Sequence, residues 1–120
     1  MTELKLGAVE SRFADIIWQN EPLSTHKLVE LCEEKLKWKR TTTYTVLKRL
    51  NERGIFENNN GVVTSLISRG DFYAMQSEKF VEETFNGSLP AFLTAFTARK
   101  SLTEEEIAHL KRIVAEHEEE

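Results

Sequence analysis

Cysteine is nearly absent from this 120-residue chain: Cys32 stands alone, so neither an internal disulfide nor a thiolate cluster can form. That scarcity fits a reducing compartment. Flanked on a helical face by Leu28 and Leu31, Cys32 reads as a small buried hydrophobe rather than a sensor thiol. Long apolar runs are missing as well, so no segment is expected to span a bilayer, and the N-terminus lacks the apolar stretch of a secretion signal. A soluble, cytoplasmic protein is expected. Histidine is sparse, and His26, His109 and His117 are scattered, none beside a nucleophile or in metal-ligand spacing. The glutamates near the C-terminus suit a capped helix start and a solvated helix end better than a catalytic pair. Neither an enzyme nor a metal or other cofactor is expected.

The net charge of -4 conceals a division. From Lys35 to Arg53 seven basic residues face one acid, Glu52, for a local charge of +6. From Asp71 to Glu120 eleven acids outnumber five bases, for -6. A local basic patch suffices for phosphate contact whatever the overall sign.

The basic block coincides with a helix of two faces. Thr43, Val46, Leu47 and Leu50 recur at i, i+3, i+4 and i+7 and make an apolar stripe that belongs in a core. Lys39 and Arg40 precede the opposite strip, which carries Thr41, Thr42, Tyr44, Thr45, Lys48 and Arg49. Four threonines between positions 41 and 45 are poor helix formers. Thr41 as an N-cap explains one of them; use of the surface explains the rest. Hydroxyls, methyls, one ring and several cations in a narrow strip suit a DNA major groove. Thr42, Tyr44 and Thr45 are expected to read or buttress base edges, and Lys39, Arg40, Lys48 and Arg49 mainly to contact phosphates, with pairing to an acid at the core edge as the alternative for Arg49.

Around that helix the pattern predicts a mainly α fold with a small β-hairpin. Helix one runs from about Gly7 to Gln19, with Val9, Phe13, Ile16 and Ile17 inward. Helix two starts at the N-cap Ser24, stapled by Leu23 on Leu28, and ends near Lys35. A basic linker leads into the threonine helix, so the two form a helix-turn-helix, and Gly54 stops the second. Ile55–Glu57 and Val62–Ile67 read as strands around Asn58-Asn59-Asn60-Gly61, a hairpin signal with no cation at its tip. Three helices and a hairpin make a winged helix-turn-helix DNA-binding domain, placed at residues 1–70.

Residues 71–120 are expected to be a helical dimerisation segment. Five of the seven phenylalanines lie there. Leu89, Phe92, Leu93 and Phe96 form a helical stripe that follows Asn86-Gly87-Ser88, with Ser88 as N-cap and Pro90 in the first turn. Thr103 and Glu106 make a capping box for a last helix carrying Ile107, Leu110, Ile113 and Val114, with Leu102 as its staple. Short helices cannot bury this apolar surface on one another, so a second copy is the expected partner, with Phe80 and Phe85 also at the interface; the competing reading is that they pack on helix one within a monomer.

Trp38-x-x-x-Thr42-x-x-Thr45-x-Leu47-x-Arg49-Leu50-x-x-Arg53-Gly54, with Val9 to Trp18 and the tail from Phe80 to Ile113, resembles the bacterial penicillinase and methicillin-resistance repressors, which also include copper-responsive repressors. The resemblance runs nearly end to end. It implies a transcriptional repressor that reads an inverted-repeat operator related to TACA and TGTA as a homodimer, with possible control of β-lactam resistance genes. Copper-responsive members carry a C-terminal cysteine cluster that this tail lacks. Antibiotic-responsive members are cut by a membrane sensor protease at an Asn-Phe bond; the matching pair here is Ala95-Phe96. Two other readings stay open from the residues alone: a winged-helix regulator binding a small ligand between its tail helices, and a winged-helix module for protein contacts.

Overall fold

A computed structural model describes residues 5–119. Among these residues the chain forms α1 (Ala8–Asn20), β1 (Leu23–Ser24), α2 (Thr25–Leu36), α3 (Arg40–Glu52), β2 (Phe56–Asn59), β3 (Val62–Ser65), α4 (Arg69–Phe85), α5 (Leu89–Arg99) and α6 (Glu104–Glu118). It is the mainly α, winged-helix architecture expected from the sequence. The chain divides between Ser77 and Glu78 into two compact units.

Local chemistry sets most of the helix starts. Ser24 Oγ accepts from Lys27 N at 3.0 Å, and Ser88 Oγ accepts from Ala91 N at 3.1 Å. At α6 the bond is reciprocal: Glu106 N donates to Thr103 Oγ1 at 3.0 Å and Thr103 N donates to Glu106 Oε1 at 2.9 Å. The hydrogen bonds from the Thr103 backbone and hydroxyl hold the Glu106 carboxyl below its ordinary pKa. Gly7 precedes α1 and has no side-chain oxygen, so only half of such a box is made there, with Gly7 N donating to Glu10 Oε1 at 3.2 Å.

The N-terminal unit packs α1, α2 and α3 around Phe13, Ile17, Leu28 and Leu50, with Ile55, Phe56 and Val63 closing the core from the sheet. On α1 the inward set is Phe13, Ala14, Ile16 and Ile17. Val9, expected inward, is exposed because it sits in the first turn, where Leu6 from the preceding segment is buried in its place. The hairpin has a two-residue connection: Asn59 pairs with Val62, and Asn60 and Gly61 both take positive φ, 52° and 86°. Such a turn matches the twist of the strands it joins. Asn58 is therefore a strand residue, and its Oδ1 accepts from Gly61 N at 3.0 Å. The hairpin is also wider than expected. Leu23 and Ser24 pair with Val63 and Val62, giving a three-stranded antiparallel sheet of order β1-β3-β2.

Trp18 joins the helices to the sheet. Its Nε1 donates to Ile67 O at 3.0 Å, and its ring lies 5.3 Å from Phe56, 5.7 Å from Phe72 and 6.0 Å from Tyr73. Phe72 is fully buried, so the first turn of α4 belongs to this core although it follows residue 70. Truncating Phe72 to alanine should lower unfolding free energy by about 3–5 kcal/mol. Urea unfolding of Phe72→Ala checks this, and a midpoint indistinguishable from the unaltered protein would remove Phe72 from the core.

Candidate nucleic-acid interface

Burial of one stripe determines what α3 shows to solvent. Thr43, Val46, Leu47 and Leu50 are buried, while Lys39, Arg40, Thr41, Thr42, Thr45, Lys48 and Arg49 are exposed and Tyr44 is partly so. Thr43 is the one polar member of the stripe, and its hydroxyl donates to Lys39 O at 3.5 Å.

The start of α3 differs from the expectation. Lys39 is the N-cap residue and makes no side-chain cap, so Thr41 lies inside the helix. The cause is the preceding turn. Lys37 takes left-handed φ (59°), Trp38 N donates to Cys32 O at 3.2 Å, and the Trp38 ring stacks on Phe13 at 5.4 Å. With Trp38 anchored, the chain re-enters helical geometry at Arg40. The first turn of α3 contains no acid, and Lys39 and Arg40 crowd the positive end of the helix dipole. Uncapped amides beside two cations make this end receptive to an anion.

Both flanks of the exposed strip are tethered. Tyr44 bonds to the Thr25 side chain, and this bond, with a smaller contribution from the Arg40 charge, lowers its phenol pKa from the ordinary value. The Arg40 guanidinium lies 5.6 Å from the Tyr44 ring centre. Thr25 N donates to Gly61 O at 2.9 Å, which ties the same corner to the hairpin turn. On the other flank Arg49 Nη1 lies 3.1 Å from Glu10 Oε2. Thr45 Oγ1 donates to Thr41 O at 2.9 Å, so its hydroxyl is turned onto the helix and its methyl is left for the exposed side. The structure thus brings Lys39, Arg40, Thr41, Thr42, Thr45 and Lys48 onto one open strip, with Tyr44 and Arg49 at its edges. Glu52, also exposed, closes the C-terminal end.

A family model described as penicillinase repressor matches residues 6–116. The chain belongs to the penicillinase repressor family. It is also 25% identical over 117 residues to the penicillinase repressor of Bacillus licheniformis, covering 94% of this chain and 91% of that one. This is a family of transcriptional repressors. Among the described residues no helix is long and apolar enough to cross a membrane.

In the C-terminal unit of this repressor, Phe80, Phe85 and Phe92 form a triangle with ring centres 5.9, 6.0 and 5.6 Å apart, and Phe96 continues it at 6.1 Å from Phe92. The triangle leaves much apolar surface outside. No residue of α5 or α6 is buried. Phe80, Phe96, Ile107 and Ile113 are exposed, as are Leu89 at 56% and Val114 at 58%, while Leu93 and Leu110 are half-buried. Phe92, Leu93, Phe96 and Leu110 line one open groove, and Leu102, Ile107, Leu110 and Val114 line another. Ala95 and Phe96 both lie exposed within α5.

Sequence reasoning missed Glu10 and Thr25, the two residues that hold the strip from outside α3. Glu10 had a local signal, a carboxylate three residues after Gly7 at a helix start; its partner Arg49 lies 39 residues away and is joined to it only by the fold.

Burial pushes the Cys32 thiol up from 9.0 to about 11, with the Thr43 hydrogen bond opposing. Burial thus favours the protonated folded form. The stability so gained is complete below the unfolded value of 9.0 and is lost as pH rises from there through about 11. Denaturation curves should show a decline over that window that is shallower in Cys32→Ala. At neutral pH, alkylation of Cys32 should proceed at the rate of unfolding; rapid labelling of the folded protein would contradict the buried seam.

Proposed function

We propose that this repressor binds an inverted-repeat DNA operator as a homodimer and is released by cleavage of its C-terminal unit. The observation that carries the DNA reading is the contrast among helix starts. α2, α5 and α6 are capped by the hydroxyls of Ser24, Ser88 and Thr103, and α1, which follows Gly7, carries Glu10 in its first turn, whereas α3 has neither a side-chain cap nor an acid there and carries Lys39 and Arg40. A phosphate oxygen supplies the missing acceptor and neutralises the two cations. Lys48, farther along the strip, takes a second phosphate. With the helix so placed, Thr41, Thr42 and the methyl of Thr45 meet base edges, and a methyl is the group that packs on thymine in TACA-type half-sites. Tyr44 buttresses the strip through Thr25. This domain comprises the winged-helix portion ending near residue 70, with Phe72 and Tyr73 completing its core; the helices beyond it form the dimerisation segment.

Dimerisation follows from the tail. Phe80, Phe85, Leu89, Phe92, Leu93, Phe96, Ile107, Leu110, Ile113 and Val114 present more apolar surface than α5 and α6 bury on each other, and a second copy supplies the missing cover. Two readers linked in this way engage two half-sites, the second with a raised effective concentration. A sensor protease cutting between Ala95 and Phe96 would separate α6 from the phenylalanine triangle and dissolve that link. Because the bond lies within α5, cutting requires local unwinding, which operator binding opposes through its coupling to the dimer.

Titration of an inverted-repeat duplex with TACA and TGTA half-sites at several salt concentrations tests the reading. Arg40→Ala and Lys48→Ala should each lower the slope of log K against log salt by about one unit, on specific and mixed-sequence DNA alike. Unchanged slopes would mean that another face meets the duplex.

Phe96→Asp should convert the full chain from dimer to monomer by sedimentation and reduce its affinity for the inverted repeat much more than for a half-site. A variant that stays dimeric moves the interface away from α5. Mass spectrometry after co-expression with a sensor protease should find fragments ending at Ala95; an intact chain that still leaves DNA on induction would rule out proteolytic release.

A further inference from the structure

One carboxylate on α1 governs the far end of the reader helix. Glu10 Oε1 accepts from Gly7 N at 3.2 Å, which fixes the side chain at the start of α1. Its other oxygen, Oε2, lies 3.1 Å from Arg49 Nη1 and 3.7 Å from Arg53 Nη1. Arg53 Nη2 also donates to the Lys5 carbonyl. The two arginines differ in reach: the Arg53 side chain is 14% exposed and the Arg49 side chain 54%. Arg53 thus belongs to the packing of α1 on α3, while Arg49 is accessible and held aside by a carboxylate that is itself only 20% exposed.

The charge of α3 is correspondingly polarised. Lys39 and Arg40 at its start have no acid in the first turn. At its end Arg49 and Arg53 are matched by Glu10 and by Glu52, which add negative charge where the helix dipole is already negative. One end attracts phosphate, and at the other, among the described residues, only Lys48 is left without a matching acid.

Resting on the DNA-binding reading above, we propose that Glu10 is a specificity-determining positioning residue. By pairing with Arg49 it withholds that cation from the DNA backbone, so the sequence-independent contacts of α3 are limited to its N-terminal end and Lys48, with none added by Arg49. Phosphate contacts raise affinity for every sequence alike. An unrestrained Arg49 would strengthen binding to all DNA and blur the advantage of the operator. Arg49, placed by its sequence position among the phosphate contacts, is on this account kept from them by the fold.

Glu10→Gln tests the assignment, because glutamine retains an oxygen for the Gly7 amide while removing the charge that holds Arg49. Affinities for a mixed-sequence duplex and for the TACA/TGTA inverted repeat are measured across a salt series, with circular dichroism and a thermal melt confirming the fold. Glu10→Gln should steepen the salt slope by about one unit on both duplexes and raise mixed-sequence affinity several-fold, lowering the ratio of operator to mixed-sequence binding. Arg49→Gln, which breaks the same pair from the other side, should leave the slope where it is in the unaltered protein. The double variant Glu10→Gln/Arg49→Gln should return to that slope, a rescue that a purely packing role does not produce.

A Glu10→Gln slope that is unchanged or shallower overturns the proposal, as does an Arg49→Gln slope reduced by about one unit, which would make Arg49 a phosphate contact. Should Glu10→Gln fail to fold, the Arg49→Gln slope still decides. If the unaltered protein shows no salt-dependent affinity for either duplex, the DNA-binding reading fails and this proposal falls with it. A steep slope in the unaltered protein that Glu10→Gln does not change sinks the Glu10 assignment alone.

Discussion

The rotation of α3 about its own axis is the constraint from which the rest of the N-terminal unit follows. Four consecutive positions on its apolar stripe, Thr43, Val46, Leu47 and Leu50, go into the core formed with α1 and α2. At about 25 cal/mol per Å² of apolar surface, turning this stripe outward would cost several kcal/mol, comparable to the whole stability of a small domain. Once the stripe is committed, the opposite strip has no freedom: Thr41, Thr42, Thr45 and Lys48 must face away. The Thr43 hydroxyl donates to Lys39 O at 3.5 Å, so this buried polar group is satisfied without a charge.

The supports around α3 act on different degrees of freedom. Trp38 stacked on Phe13 fixes where the helix begins, because the left-handed Lys37 and the Trp38 amide bond end α2 just before. Tyr44 on Thr25 and Arg49 on Glu10 restrain its two flanks. Trp18 performs the corresponding task for the sheet and the first turn of α4, packing on Phe56, Phe72 and Tyr73 while its indole donates to Ile67 O. The DNA-reading role proposed for this surface requires such rigidity, since its contacts would be lost with small displacements.

The C-terminal unit is built on another principle. Its helices have strong local start signals, yet α5 and α6 bury no residue. Capping and propensity make the helices; they do not make a core. The phenylalanine triangle organises one side, and Leu89, Phe96, Ile113 and Val114 remain as exposed apolar surface. In the proposed dimer, assembly and stability of this unit are coupled.

What the sequence determined by itself is what depends on neighbours within a few residues. Ser24, Ser88 and the Thr103/Glu106 pair cap their helices as their spacing implies, because a side chain and an amide three residues apart meet in any helix start. The two faces of α3 were legible for the same reason, since the helical period alone separates them. The tertiary structure decided the rest. It moved the start of α3 to Arg40, because an aromatic stack on Phe13 outweighs the modest capping gain of Thr41. Pairing of Leu23 with Val63 made a three-stranded sheet from segments far apart in the chain, and burial of Phe72 drew the start of α4 into the first core. It joined Glu10 to Arg49, turning a cation that reads locally as a phosphate contact into half of an ion pair. Periodicity and capping are properties of one segment, whereas register, burial and charge pairing belong to two segments at once and exist only when the chain has brought them together.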